Sequence, residues 1–237
     1  MKDVLAVVDD TSGAAAVTGV ARAMAEILRT DVREIRLAAG SRTQDATTMV
    51  LRELERTSTI LGVLAGDASP RAMSWWIVRH SSKPVVLLPS SPATPGAFDH
   101  VISRVLLPLD GSFEAAAAVT ETAELFTRTG VDLVVLHVFD EATVPRFWDQ
   151  AAHARQAWEQ EFLARHCAYP GVRMELRGGV AGEQVVNVAA AEHVDLIALG
   201  WSQHLDEGRA RTVRETTAGA RVPVMLIPVA RAEGLSP

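Results

Sequence analysis

A chain of 237 residues with 48% hydrophobic and 22% charged side chains has enough apolar material to bury one or two cores. A formal net charge of −6, scarce lysine and the lack of a basic block argue against nucleic acid as a partner. No apolar run reaches the roughly 20 residues that cross a membrane, so no membrane partner is expected, and the single Cys167 excludes an internal disulfide and a cysteine-built zinc site.

The N-terminus "MKDVLAVVDD" meets two aspartates after about five apolar residues, too few for the core of a signal peptide, and a cytoplasmic protein is expected. The first half then alternates strand-sized apolar runs with helical stretches: "VLAVVD" (4–9), a helix over 13–29, "VREIRLAAG" (32–40), a helix over 44–57, "TILGVLAG" (59–66), a helix over 70–80 and "PVVLLP" (84–89). "SSPATPGAF" (90–98) follows, with prolines, glycine and small polar residues in the manner of an exposed connection.

The second half repeats the alternation with one more strand: "VLLPL" (105–109), "LVVLHV" (133–138), "VRMEL" (172–176), "LIALG" (196–200) and "VMLIPV" (224–229). Helices are expected at about 113–129, 145–165, 181–192 and 213–220. Parallel neighbours require right-handed crossovers, so an open doubly wound α/β sheet is the simplest topology. The first half has four strands to the second half's five. "VREIRLAAG" aligns with "VRMELRGGV" (172–180), so the missing unit reads as the second strand with the long helix after it. The expected domains are 1–90 and 101–231, joined by a linker over 91–100.

In such a sheet a ligand crevice opens where the strand order reverses, at the carboxyl end of the first strand. Asp110 falls there, followed by Gly111 and Ser112 at the start of a helix. A carboxylate in that place can accept from an adenine amino group or a ribose hydroxyl, or it and Ser112 can simply cap the helix. Trp201, after Gly200, can stack on a base or plug an empty site, and the plug is favoured.

"VLLPLDGS", "LHV", "GGVAGEQVVNVAAAEHVDLIALG" and "VPVMLIPV", in this order, resemble the universal stress protein family over about 104–230, with a degenerate copy over 4–89. The resemblance implies two tandem open parallel-sheet domains of the adenine nucleotide α-hydrolase-like type. The second would have strand order 3-2-1-4-5, and the first would lack one strand-helix unit. It implies a binding or regulatory module of the stress response, ATP or another adenine nucleotide with Mg²⁺ as the ligand in those members that bind one, and association through last strands as a homodimer or an internal pseudo-dimer.

The binders resemble one another in an Asp after strand one, a Val after the His of strand two, and a loop G-x2-G-x9-G-[ST] after strand four. Carried across, these are Asp110, Val138, Gly200 and Thr212, with Pro108, Leu109, Leu199, Arg211 and Val213 beside them. The loop "GWSQHLDEGRARTV" departs from the pattern: Gln203 stands where the second Gly belongs, Arg211 replaces the third, and only eleven residues separate Gly200 from Thr212. A Cβ at 203 obstructs the backbone approach to phosphate, and Asp206 and Glu207 add negative charge. Arg209, Arg211 and Arg214 offer charge-assisted contacts in a different geometry. The degenerate loop leaves a pure interaction protein, acting through dimer surfaces, as the alternative.

In the first half Asp9 matches Asp110 and Thr11 matches Ser112, but "AGDASPRAMSWW" runs straight into a helix without a phosphate loop. This half is expected to be a structural partner. The histidines show no H-E-x-x-H arrangement, so no metal is expected; His137 reads as a satisfied strand residue. No nucleophile is paired with a base, so no enzymatic activity beyond slow ATP hydrolysis is expected. An adenylylating enzyme of the related superfamily would need a glycine-rich loop that "LDGSFEAA" does not provide.

Overall fold

The computed structural model describes residues 1–9, 13–38, 43–66, 69, 72–89, 101–140, 152–204 and 210–229. The expected linker and residues 145–151 of the long helix lie outside them. The first half comprises β1 (Asp3–Val8), α1 (Ala14–Leu28), β2 (Asp31–Arg36), α2 (Thr43–Leu54), β3 (Thr59–Ala65), α3 (Met73–His80) and β4 (Val85–Leu88). The second comprises β5 (Arg104–Pro108), α4 (Phe113–Arg128), β6 (Asp132–Phe139), α5 (Ala152–His166), β7 (Arg173–Gly178), α6 (Ala181–Ala191), β8 (Leu196–Trp201), α7 (Arg211–Gly219) and β9 (Val224–Pro228).

Among the described residues all nine strands form one sheet in the order β2-β1-β3-β4-β9-β8-β5-β6-β7. Every neighbouring pair is parallel except β4 with β9, where Val86 lies opposite Met225 and Val85 opposite Leu226. The second half alone reads β7-β6-β5-β8-β9, which is the expected 3-2-1-4-5 order. The two halves therefore meet through their last strands, as two subunits would, but within one chain.

Burial explains the sequence pattern. All six residues of β1 are buried, and so are the central residues of β5 and β9, because helices cover both faces of a parallel sheet and each residue packs on one side or the other. The outermost strands β2 and β7 are half exposed and carry the charged side chains. One face is covered by α1, α4 and α5, the other by α2, α3, α6 and α7. Both cores cross the seam. Val4, Met24 and Leu61 of the first half share one core with Phe126, Val135 and Met225 of the second. Leu54, Trp75 and Ile77 share the other with Leu136, Ile197 and Leu226.

The missing unit has an instructive consequence. β2, the counterpart of β7 by sequence, pairs directly with β1, in the lane that β6 occupies beside β5. Its following helix α2 still packs beside α3, as α6 packs beside α7. Removing a strand and its crossover helix thus lets the next strand move inward by one lane. Arg33 of β2 secures it there: its guanidinium donates to Asp3 of β1 (3.2 Å), Glu53 of α2 (2.9 Å) and Thr59 of β3 (2.8 Å).

Candidate functional site

β5 is followed by β6 on one side and bordered by β8 on the other, so the chain reverses its direction of travel across the sheet between β5 and β8. A cavity of about 300 Å³ opens at the carboxyl ends of these strands. Pro108, Leu109 and Asp110 leave β5, Leu136 and Val138 come from β6, and Leu199, Gly200, Trp201 and Ser202 come from the end of β8. The starts of three helices close it: Ser112, Glu114 and Ala115 at α4, Ala181 and Val185 at α6, Thr212 and Val213 at α7.

Of the nine residues expected from the sequence, eight line this cavity: Pro108, Leu109, Asp110, Val138, Leu199, Gly200, Thr212 and Val213. Arg211 is not among them. It is the first residue of α7, and its Nε donates to Glu215 one turn later at 2.6 Å, which raises the guanidinium pKa through that bond and the adjacent charge. The helix starts two residues before the expected Val213, and this places Arg211 on the α7 surface. Asp206, Glu207 and Arg209 lie outside the described residues.

Asp110 holds the turn into α4 and lines the cavity. Its Oδ1 accepts from the Ser112 backbone N–H at 2.8 Å, and Ser112 Oγ in turn accepts from Ala115 N–H at 3.2 Å, capping α4. One carboxylate oxygen thus shapes the turn while the residue remains on the cavity wall. Gly111 has φ +86°, a left-handed value that glycine takes without penalty. His137 supports the turn from behind: its Nδ1–H donates to Leu109 O at 2.9 Å, and burial pushes its pKa down. It is the satisfied strand histidine that its setting suggested. At Gly200 the constraint is close approach, since a Cβ there would come within 3.2 Å of Ala115 O and press α4 off β8.

Trp201 is a wall and not a plug. It is 4% exposed, and the cavity stays open beside it. Its ring meets Trp75 of α3 edge to face, with centroids 6.2 Å apart. Trp75 and Trp76 divide as their adjacency requires, the first 3% exposed and the second 44%. In the sequence Gln203 stands out only as a departure from glycine. It adopts φ +62°, in the region that favours glycine, and its side chain crosses to the first half, where Nε2 donates to Val78 O (3.2 Å) and Ser81 O (2.6 Å) at the end of α3. No local sequence signal marks this pairing, because its partners are 125 and 122 positions away.

The cavity wall is mostly apolar, with the carboxylates of Asp110 and Glu114, the hydroxyls of Ser112, Ser202 and Thr212, and no lysine or arginine among the described lining residues. The N-cap residues of α6 and α7, Val180 and Ala210, make no side-chain cap bond. The arrangement offers a slot for a flat apolar group, a carboxylate acceptor, and a partial positive potential from helix ends.

Such a crevice at the reversal point of an open α/β sheet is where proteins of the doubly wound class commonly hold ligands. The model of the universal stress protein family matches residues 102–228, more than half of the chain, and the chain belongs to that family. Among solved structures it is similar to a universal stress protein from Archaeoglobus fulgidus DSM 4304, with TM-score 0.66 and 13% identity over 96% of each chain. It is also similar to a protein of unknown function from Pseudomonas aeruginosa PAO1, with TM-score 0.61 and 13% identity over 97% of this chain and 93% of that one. At these identities the likeness is one of fold, and it spans both halves. No curated protein matches the chain. Among the described residues no helix is long and apolar enough to cross a membrane.

Proposed function

We propose that the second half binds an adenine nucleotide in the cavity between β5, β6 and β8, and that the protein acts as a binding or regulatory module without catalysis. The observation that carries this reading is the convergence on one cavity of eight residues taken from four separate stretches of sequence. The apolar wall of Leu136, Val138 and Val185 suits a purine face, and Asp110 suits a ribose hydroxyl or an amino group. Thr212 at the uncapped start of α7 suits a phosphate. The domains would be 1–90 and 101–231, the first serving as a built-in partner in place of a second subunit.

The experiment is thermal unfolding with and without millimolar AMP, ADP and ATP, each with and without Mg²⁺, on wild type and Asp110→Ala. Ligand at ~100 times its Kd adds about 2.7 kcal/mol of stability. Stabilisation that Asp110→Ala abolishes supports the reading; no stabilisation by any nucleotide overturns it. That second outcome favours an interaction protein acting through its dimer surfaces.

A further inference from the structure

A second cavity, of about 260 Å³, borders the turn after β5 at Gly111, while Asp110 and Ser112 on either side of that glycine line the first cavity. Its described wall is built from rings. Trp158, Phe162 and His166 recur every four residues along α5 and so form one stripe down that helix. Trp158 and Phe162 are stacked, with centroids 5.0 Å apart and planes at 24°. His137 of β6 closes the stripe from the sheet, its ring centroid 5.2 Å from that of Trp158 and 4.9 Å from that of Phe162. Gly111 brings bare backbone against these rings: a Cβ there would lie 3.5 Å from Phe162 and 3.8 Å from His137.

Side chains in a core close-pack, and a gap of this size beside stacked rings has room for a further ring in offset or edge-to-face contact. His137 supplies a polar contact for it. Its Nδ1–H is committed to Leu109 O at 2.9 Å and burial favours the neutral ring, so Nε2 is left as a lone-pair acceptor. Nothing among the described residues bonds to that nitrogen. Glu161 and Arg165 also border the cavity, but they are ion-paired with each other and more than half exposed. Aromatic walls with a few placed polar groups are the usual make-up of a small-molecule site, and a volume just under the usual range of about 300 to 1,000 Å³ suits a small occupant.

The geometry points to a second small-molecule site here, for a planar aromatic molecule that carries an O–H or N–H donor, its ring against Trp158 and Phe162 and its donor on His137 Nε2. This site stands apart from nucleotide binding in the first cavity, and failure of either reading leaves the other untouched.

The test is NMR titration of the full chain, labelled with ¹⁵N at histidine, with millimolar phenol, indole and toluene. His137→Phe keeps a ring, removes Nε2 and identifies the His137 signals by their loss; circular dichroism checks its fold. Phenol and toluene match in shape and differ in the donor. Burying a hydroxyl without an acceptor is costly, so a merely apolar gap would take toluene more tightly. Phenol and indole are expected to shift the His137 Nε2 signal, and phenol to bind about fivefold more tightly than toluene, the worth of about one hydrogen bond. In His137→Phe the order is expected to reverse. Absence of any His137 shift with phenol or indole, or toluene binding wild type as tightly as phenol, overturns the proposal without recourse to a variant. A preference for phenol that survives in folded His137→Phe overturns it as well.

Discussion

The tether of Gln203 makes a pair of substitutions diagnostic. Gln203→Ala removes two hydrogen bonds to Val78 O and Ser81 O and leaves an L-residue at φ +62°. At about 1 kcal/mol for each bond, the loss is about 2 kcal/mol. Gln203→Gly loses the same two bonds but relieves a left-handed conformation that costs an L-residue about 1 to 2 kcal/mol, partly offset by the extra freedom glycine gives the unfolded chain. Its net cost is therefore about 1 kcal/mol. For a chain of 150 to 250 residues each kcal/mol moves Tm by roughly 2 to 4 °C, so Gln203→Ala is expected to melt about 4 to 8 °C below wild type and Gln203→Gly about 2 to 4 °C below. Thermal denaturation followed by far-UV circular dichroism measures both. Glycine proving as destabilising as alanine, or more so, would refute the argument from backbone conformation. Two variants as stable as wild type would show that the bonds to α3 contribute nothing.

Leu226 is 1% exposed and sits at the β4–β9 seam opposite Val85, so Leu226→Ala is expected to cost about 2 to 5 kcal/mol. Because both cores cross that seam, tryptophan fluorescence and circular dichroism should shift together, and two separated transitions would contradict a shared core. His137 is depressed below its ordinary value of 6.5 by burial, against opposing contributions from its bond to Leu109 O and from Asp110. Its unfolded form then binds the proton more readily, so this contribution to stability is complete above pH 6.5 and is lost as pH falls toward the folded value. Denaturant titrations across that window should show the slope in wild type and a weaker one in His137→Gln; an equal slope would reassign it. The buried Cys167 thiol is pushed up to about 11 by desolvation, so the native protein should resist thiol reagents at pH 8 and react promptly once unfolded. Rapid labelling of the folded protein would contradict its burial.

Much of the architecture is legible along the chain because parallel strands covered on both faces must be continuous apolar runs. "VLAVVD", "VLLPL" and "VMLIPV" stand out for that reason, and β1, β5 and β9 lie close to the expected ranges. The reversal point of an open sheet places Asp110 at the crevice. The resemblance to the universal stress protein family supplies Val138, Gly200 and Thr212 with their neighbours, and eight of the nine residues so named line the cavity. What escaped depends on where helices begin and how the halves meet. Arg211 lies off the described cavity wall because α7 opens at Arg211 itself and Glu215 one turn on holds the guanidinium. Ala181, Val185 and Glu114 reach the cavity only because the first turns of α6 and α4 abut it. Alignment identified β2 as the counterpart of β7, and the sheet seats it one lane inward.

By itself, then, the sequence determined two copies of a strand-helix alternation, the place where a crevice would open, and the acidic residue at its mouth. These follow from periodicity, turn chemistry and strand ends, all local in the chain. The tertiary structure alone decided that β4 and β9 pair antiparallel into one continuous sheet, that Trp201 rests on Trp75, and that Gln203 caps α3. Those contacts join residues more than a hundred positions apart, where no local pattern records the partner and only the packing of two halves against one seam brings it within reach.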